Sequence, residues 1–125
     1  MINQLCHEAH AAAVEKGFYE RERNLPELLM LVVSELSEAM EAERNGEMVA
    51  LGNQSLAKVF ADAKVDAWWP MHFAEDMRGT IEEEIADACI RLFDLCGYYG
   101  IDLESWIVAK MKYNATRPRK HGKAY

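Results

Sequence analysis

Apolar residues recur at helical spacing along most of this chain, and no stretch alternates regularly enough to predict a strand. Residues 2–16 put Leu5, Cys6, Ala9, Ala13 and Val14 on one side, and Gly17 supplies a stop. A second helix is predicted from Asn24, with Glu27 completing a capping box and Pro26 in the first turn. Leu28, Leu29, Val32, Val33, Leu36, Ala39 and Met40 fill one arc of it, and Asn45-Gly46 ends it. Residues 46–80 are the least regular. A short helix is expected within 55–67, while Trp68-Trp69-Pro70 is expected to bend, because the residue before proline disfavours helical geometry. Thr80 with Glu83 forms another capping box, opening a helix over 81–96 that Gly97 closes. After the short connection Gly100-Ile101-Asp102, Asp102 caps a last helix to about Thr116, stopped by Pro118. Four main helices with short connections predict an all-α fold, an antiparallel four-helix-type bundle.

At 125 residues the chain is expected to be a single domain, small enough that association with further copies would help it. Half its residues are hydrophobic and 28% are charged, a globular composition. A formal net charge of −7 argues against a nucleic-acid partner for the chain as a whole. That charge is uneven: residues 110–125 hold Lys110, Lys112, Arg117, Arg119, Lys120 and Lys123 and no acid. Cys6, Cys89 and Cys96 form an odd set without a C-x-x-C pair. Cys89 and Cys96 fall two helical turns apart, about 10.5 Å, too far for a disulfide, and are expected to be small core residues in a reducing compartment. No apolar run reaches the ~18 residues of a membrane span and no signal segment is recognisable. The expectation is a soluble cytoplasmic protein with no membrane partner.

Two acidic pairs change this picture. Glu35-x-x-Glu38 and Glu84-x-x-Asp87 are each spaced i, i+3, so each pair projects from one side of its helix. At about 100° per residue, each pair flanks the apolar stripe of its helix on the same side, so packing the stripes together brings four carboxylates to one groove. At ~4 Å and an effective dielectric near 20, each like-charge pair costs roughly 4 kcal/mol. Such a cluster needs a cation or raised pKa values. Oxygen-only ligands point to a hard cation, Mg²⁺ first with Mn²⁺ as a substitute, and Mg²⁺ on carboxylates usually serves phosphate chemistry. The plainer alternative is that both faces are solvated. Glu41, Glu43, Glu82 and Glu83 fit solvation and the favourable N-terminal end of a helix dipole. A di-iron bundle is excluded, because no glutamate stands three residues before His7, His10, His72 or His121.

Lys110, Asn114 and Arg117 share one narrow face of the last helix, with His121 and Lys123 following. Beside a carboxylate site they suit phosphate binding, Arg117 as a bidentate fork and Lys110 as a point charge; alone they would simply complement the helix dipole. Phe18, Tyr19, Trp68, Trp69 and Tyr113 are candidates for stacking on a base, against the alternative of core or interface packing. His7 and His10 beside Cys6 lack further ligands for zinc. There is no P-loop, G-x-S-x-G or Cys-His nucleophile pattern.

The run Lys16-Gly17-Phe18-Tyr19, then Arg23-Asn24, then Leu28-Leu29-Met30-Leu31-x-x-Ser34-Glu35-Leu36-Ser37-Glu38-Ala39, resembles the MazG-like proteins of the all-α NTP pyrophosphatase superfamily. Glu83-Glu84-Ile85-Ala86-Asp87-Ala88-x-Ile90-Arg91-Leu92-x-Asp94-Leu95 is similar to that family's E-x-x-D helix, and residues 110–123 to its C-terminal segment. The likeness leaves out residues 46–80. It implies a homodimeric or homotetrameric helical bundle that hydrolyses nucleoside triphosphates to monophosphate and pyrophosphate with Mg²⁺. It also implies metal ligation and catalysis by Glu35, Glu38, Glu84 and Asp87. Beside that site, substrate contacts are expected from Lys16, Phe18, Trp68, Lys110, Tyr113, Asn114, Arg117 and Lys123. Ser34 departs from the pattern, standing where some members carry another glutamate. A phosphoribosyl-ATP pyrophosphatase-like enzyme and a non-catalytic helical adaptor or regulator are the two alternatives.

Overall fold

The structure, a computed structural model, describes residues 1–49 and 55–122, and these are all-α. Six helices follow in order: α1 (Ile2–Glu15), α2 (Leu25–Asn45), α3 (Leu56–Asp62), α4 (Trp69–Asp76), α5 (Ile81–Tyr99) and α6 (Leu103–Ala115), before a short 3₁₀ turn, Arg119–Gly122. No described helix is long and apolar enough to cross a membrane. Two compact units result, one of residues 24–91 and one of residues 1–23 with 92–125, and α5 contributes to both.

Most helix ends follow the chemistry of the sequence. Asn24 accepts the Glu27 N–H at 2.9 Å, and Gly46 closes α2 at φ +72°. Asp102 Oδ1 accepts the Ser105 N–H at 3.1 Å. Thr80 Oγ1 accepts the Glu83 N–H, while the Glu83 carboxylate reaches back to the Gly79 N–H at 2.8 Å. Two ends differ from expectation. Helix α5 runs past Gly97 to Tyr99, and Gly100, at φ +63°, ends it instead. The Trp-Trp-Pro segment starts a helix where a bend was expected. Asp66 Oδ1 accepts the N–H groups of both Trp68 and Trp69 at 2.9 Å, and Pro70 lies in the first turn, where no intrahelical donor is required.

In the unit of residues 1–23 and 92–125, α1 packs on α6. Asn3 joins their starts, donating to Asp102 Oδ1 at 2.7 Å and accepting the Glu104 N–H at 3.1 Å. Gly97 explains why α5 needs a glycine mid-helix: a Cβ there would lie 2.5 Å from the Cys6 carbonyl oxygen and 2.7 Å from His10 Cβ. Cys6 and Cys96 are buried at this crossing, where burial pushes both thiols up and keeps them neutral. Cys89, expected in the core, is exposed, as are Leu5 and Val14. Asp94, 8% exposed, accepts the Tyr19 hydroxyl on both oxygens at 2.9 Å and pairs with His10 Nδ1 at 2.9 Å. Burial and the Asp94 contact push the Tyr19 hydroxyl well above its ordinary range, so it remains a donor. The Lys16–Tyr19 run is thereby tied to α5.

In the unit of residues 24–91, Ile81 N–H donates to the Glu47 carbonyl at 3.0 Å, and Arg91 Nε–H donates to Glu35 Oε1 at 2.9 Å. The buried side of α2 is Leu28, Glu35, Ala39 and Ala42. Its apolar arc is only half used: Leu29, Val33, Leu36 and Met40 remain 45–51% exposed, and Ile85 on α5 is 49% exposed. At about 100° per residue, the buried side centres close to Glu35 and the exposed apolar side lies roughly a third of a turn away. Cys89 falls on the corresponding exposed stripe of α5, which is why it escapes the core.

Gly97→Ala tests the α1–α5 crossing. Alanine gains ~1 kcal/mol of helix propensity, but overpacking costs ~1–3 kcal/mol, and a backbone oxygen cannot rotate away. A net loss of about 1–2 kcal/mol is expected, read as a lower urea midpoint at unchanged slope.

Candidate functional site

Glu35 and Glu84 occupy the buried sides of α2 and α5, at 7% and 9% exposure, although a helix normally reserves such positions for apolar side chains. The phase that buries Leu28 on α2 and Ala88 on α5 also turns these carboxylates inward. Carboxylate oxygens of Glu35, Glu38 and Glu84 lie within 4.8 Å of one another. A second group, Glu83, Glu84 and Asp87, meets the same limit, so Glu84 belongs to both. The four carboxylates singled out from the sequence therefore meet around Glu84.

Their electrostatics follow from crowding. Burial first, then Glu83, Glu38, Asp87 and Glu35, push Glu84 above the usual carboxylate range. Asp87 is also raised, by burial and then by Glu83 and Glu35, with Arg91 partly opposing. Arg91 anchors Glu35 from the next turn of α5. The donor set is oxygen only, and the oxygens lie close enough to converge on one small ion. That fits a hard divalent cation such as Mg²⁺ or Mn²⁺.

Two members of this cluster were not among the expected site residues. Glu83 caps α5 as its spacing from Thr80 predicts, yet the same side chain borders Glu84 and Asp87. Arg91 donates to Glu35 on α2, a contact between helices that its position on α5 alone does not reveal. Their spacing was a usable signal, since Glu83, Asp87 and Arg91 are successive i, i+4 neighbours on one helix face.

The remaining candidates divide between the two units. On α6, in the unit of residues 1–23 with 92–125, Lys110 Nζ sits 4.7 Å and Arg117 Cζ 5.9 Å from the centre of the Tyr113 ring, so the three share one cation–π group. Asn114 Oδ1, beside them in sequence, is buried with no hydrogen-bond partner among the described residues. Lys16 is exposed, and Phe18 borders an open cavity of about 490 Å³ with Gly17, Arg21 and Arg23. Trp68 is 64% exposed, whereas its neighbour Trp69 turns inward. Lys123 lies outside the described residues.

The raised values of Glu84 and Asp87 set the sign of a pH effect. The folded state holds these protons more tightly than the unfolded chain, so stability falls as pH rises through that window. In chelator, the melting temperature is expected to climb as pH drops from 7 towards about 5, just above the ordinary Asp and Glu values. Glu84→Gln should flatten that slope, as read from melts of the two proteins across the same pH series.

No protein-family model matches this chain, and neither does any curated protein or solved structure.

Proposed function

We propose that this protein is a Mg²⁺-dependent nucleoside triphosphate pyrophosphohydrolase of the MazG-like type, producing a nucleoside monophosphate and pyrophosphate. The observation that carries it is the convergence of Glu35, Glu38 and Glu84, extended by Glu83 and Asp87, from two different helices. Oxygen-only clusters of this kind suit a Mg²⁺ ion shared with substrate phosphates. Sequence likeness to the MazG-like motifs covers the same helices.

In this reaction the oxygen of a water molecule bonds to the α-phosphorus while the α–β bridging P–O bond breaks. Pyrophosphate leaves with that oxygen, and the water's proton passes to a carboxylate. Bound Mg²⁺ supplies Lewis-acid polarisation of the phosphate oxygens and eases deprotonation of water. Glu35, Glu38, Glu84 and Asp87 would hold the ion, and Arg91 fixes the Glu35 rotamer through its 2.9 Å hydrogen bond. Glu38, the exposed member of its group, accepts the proton. Lys110, Asn114, Arg117 and Lys123 supply phosphate contacts, with Arg117 as the bidentate donor.

The same proposal includes a homo-oligomeric, antiparallel bundle. Contacts run in opposite order along α2 and α5, Glu47 meeting Ile81 and Glu35 meeting Arg91. The exposed stripe of Leu29, Val33, Leu36 and Met40 is the kind of surface that a second copy covers.

Two measurements test the site. Mg²⁺ at a hundredfold excess over its Kd is expected to stabilise the fold by about 2.7 kcal/mol, and Glu38→Gln should remove most of that shift. An unchanged melting midpoint at millimolar Mg²⁺ would count against a metal groove. Separately, amide variants of Glu35, Glu38, Glu84 and Asp87 are each expected to lose at least ~10²-fold in kcat/KM for pyrophosphate release, about 2.7 kcal/mol. Glu41→Gln and Glu43→Gln should stay near wild type. Equal losses in these controls would displace the site, and a wild-type protein inactive on all eight common triphosphates would favour the adaptor alternative.

A further inference from the structure

We propose that an aromatic slot formed by α3, α4 and the start of α5 holds the base of the nucleotide, and that it selects bases carrying an exocyclic amino group. The assignment depends on the nucleotide chemistry proposed above, and it involves the segment that has no counterpart in the MazG-like motifs.

The slot is a cavity of about 270 Å³ bordered by Phe60, Trp69 and Phe73, with Ala61 leaving open space beside the rings. Trp69 and Phe73 stack at 5.0 Å between ring centres with planes 9° apart, and Phe60 meets both edge-on at 5.6 and 5.5 Å. Trp69 Nε1–H donates to the Phe60 carbonyl at 3.3 Å, so the indole is held in place with its polar atom satisfied. A small-molecule site usually occupies ~300–1,000 Å³, so this volume suits a single heterocycle better than a whole nucleotide. Bases stack on aromatic side chains, and here a base would lie in the cavity against the Phe60, Trp69 and Phe73 group and not between Trp69 and Phe73, whose faces already meet.

Position and charge narrow the occupant. Glu83 borders the slot, and its carboxylate also belongs to the group with Glu84 and Asp87, so the slot and the carboxylate cluster share a wall. Only a ribose separates a base from its α-phosphate, and the proposed reacting phosphorus would lie at that cluster. Glu82 and Glu83 provide the acidic groups of the slot. One Glu82 oxygen accepts the Val49 N–H at 3.1 Å, and one Glu83 oxygen accepts the Gly79 N–H at 2.8 Å, which orients both carboxylates. Ionised carboxylates only accept hydrogen bonds. Adenine, cytosine and guanine offer an amino donor, whereas uracil and thymine would set a carbonyl against a carboxylate.

The test uses the full chain and two readouts. Tryptophan fluorescence, read as the part of the signal that Trp69→Phe removes, follows titration with AMP, CMP, UMP and TMP; pyrophosphate release gives kcat/KM for the matching triphosphates. Wild type should bind AMP and CMP at least ~10-fold more tightly than UMP and TMP, since an unmatched buried acceptor is strongly rejected. Ala61→Leu fills the slot and should weaken AMP and CMP binding at least ~10-fold, while keeping the Mg²⁺ melting shift. Glu82→Gln, which gains a donor, should narrow the amino-to-carbonyl ratio about fivefold. If Ala61→Leu fails to fold, Phe73→Leu removes the stacking ring at similar volume and should show the same loss. Normal pyrophosphate release with Ala61→Leu or Phe73→Leu unchanged in binding would overturn the slot and leave the hydrolase standing, as would UMP binding as tightly as CMP. Slot-dependent quenching in a protein that hydrolyses no triphosphate would support the slot and overturn the hydrolase. Absence of both quenching and turnover would overturn both.

Discussion

Glu35 and Glu84 take the inward positions on α2 and α5 that a pair of packed helices normally gives to leucine or isoleucine. Each like-charge approach within the cluster costs roughly 4 kcal/mol at 4 Å and an effective dielectric near 20. Three responses to that cost are visible. Arg91 pairs with Glu35, Glu84 and Asp87 hold protons more tightly than usual, and Glu38 stays in contact with solvent. None of these neutralises the whole cluster at neutral pH. A divalent cation would offset more of that charge than any of them, so the proposed chemistry would also ease the packing of α2 on α5.

Charge in the packed face displaces the apolar residues. Leu28, Ala39, Ala42 and Ala88 remain inside beside the carboxylates, while Leu29, Val33, Leu36, Met40 and Ile85 turn outward. Among the described residues no large side chain is fully buried, so the core of the single chain is thin. A chain of 125 residues that leaves this much apolar surface open gains from association, because each buried leucine-sized side chain returns ~1.5–3 kcal/mol. In the proposed oligomer the repelling groups and the apolar stripe are two consequences of one helix phase.

Residues 56–76 add something that the helix pair lacks. Short α3 and α4 bury little apolar surface, yet they gather Phe60, Trp69 and Phe73 against the side of Glu83. Glu83 thereby serves three neighbours: the N-terminus of α5, the carboxylate cluster and the aromatic slot. Substituting it would disturb capping, cluster charge and slot together, whereas Ala61 and Glu82 border the slot without belonging to the carboxylate cluster.

Helix content, most caps and the shared side of each acidic pair, Glu35-x-x-Glu38 and Glu84-x-x-Asp87, were legible in the amino-acid order, because each depends on spacing along one helix and on side chains a few residues apart. What could not be read there depends on contacts between segments distant in sequence. Gly97 has the local look of a helix stop, and only the carbonyl of Cys6 on another helix shows it to be a close-approach residue. Trp69-Pro70 looks like a break until Asp66 satisfies the amides ahead of it. Half of the apolar arc on α2 looks like core until the carboxylates claim the inner side. Periodicity says which residues share a face; tertiary packing alone decides which of two adjacent faces is buried, since that choice balances burial of leucine against the cost of bringing like charges together.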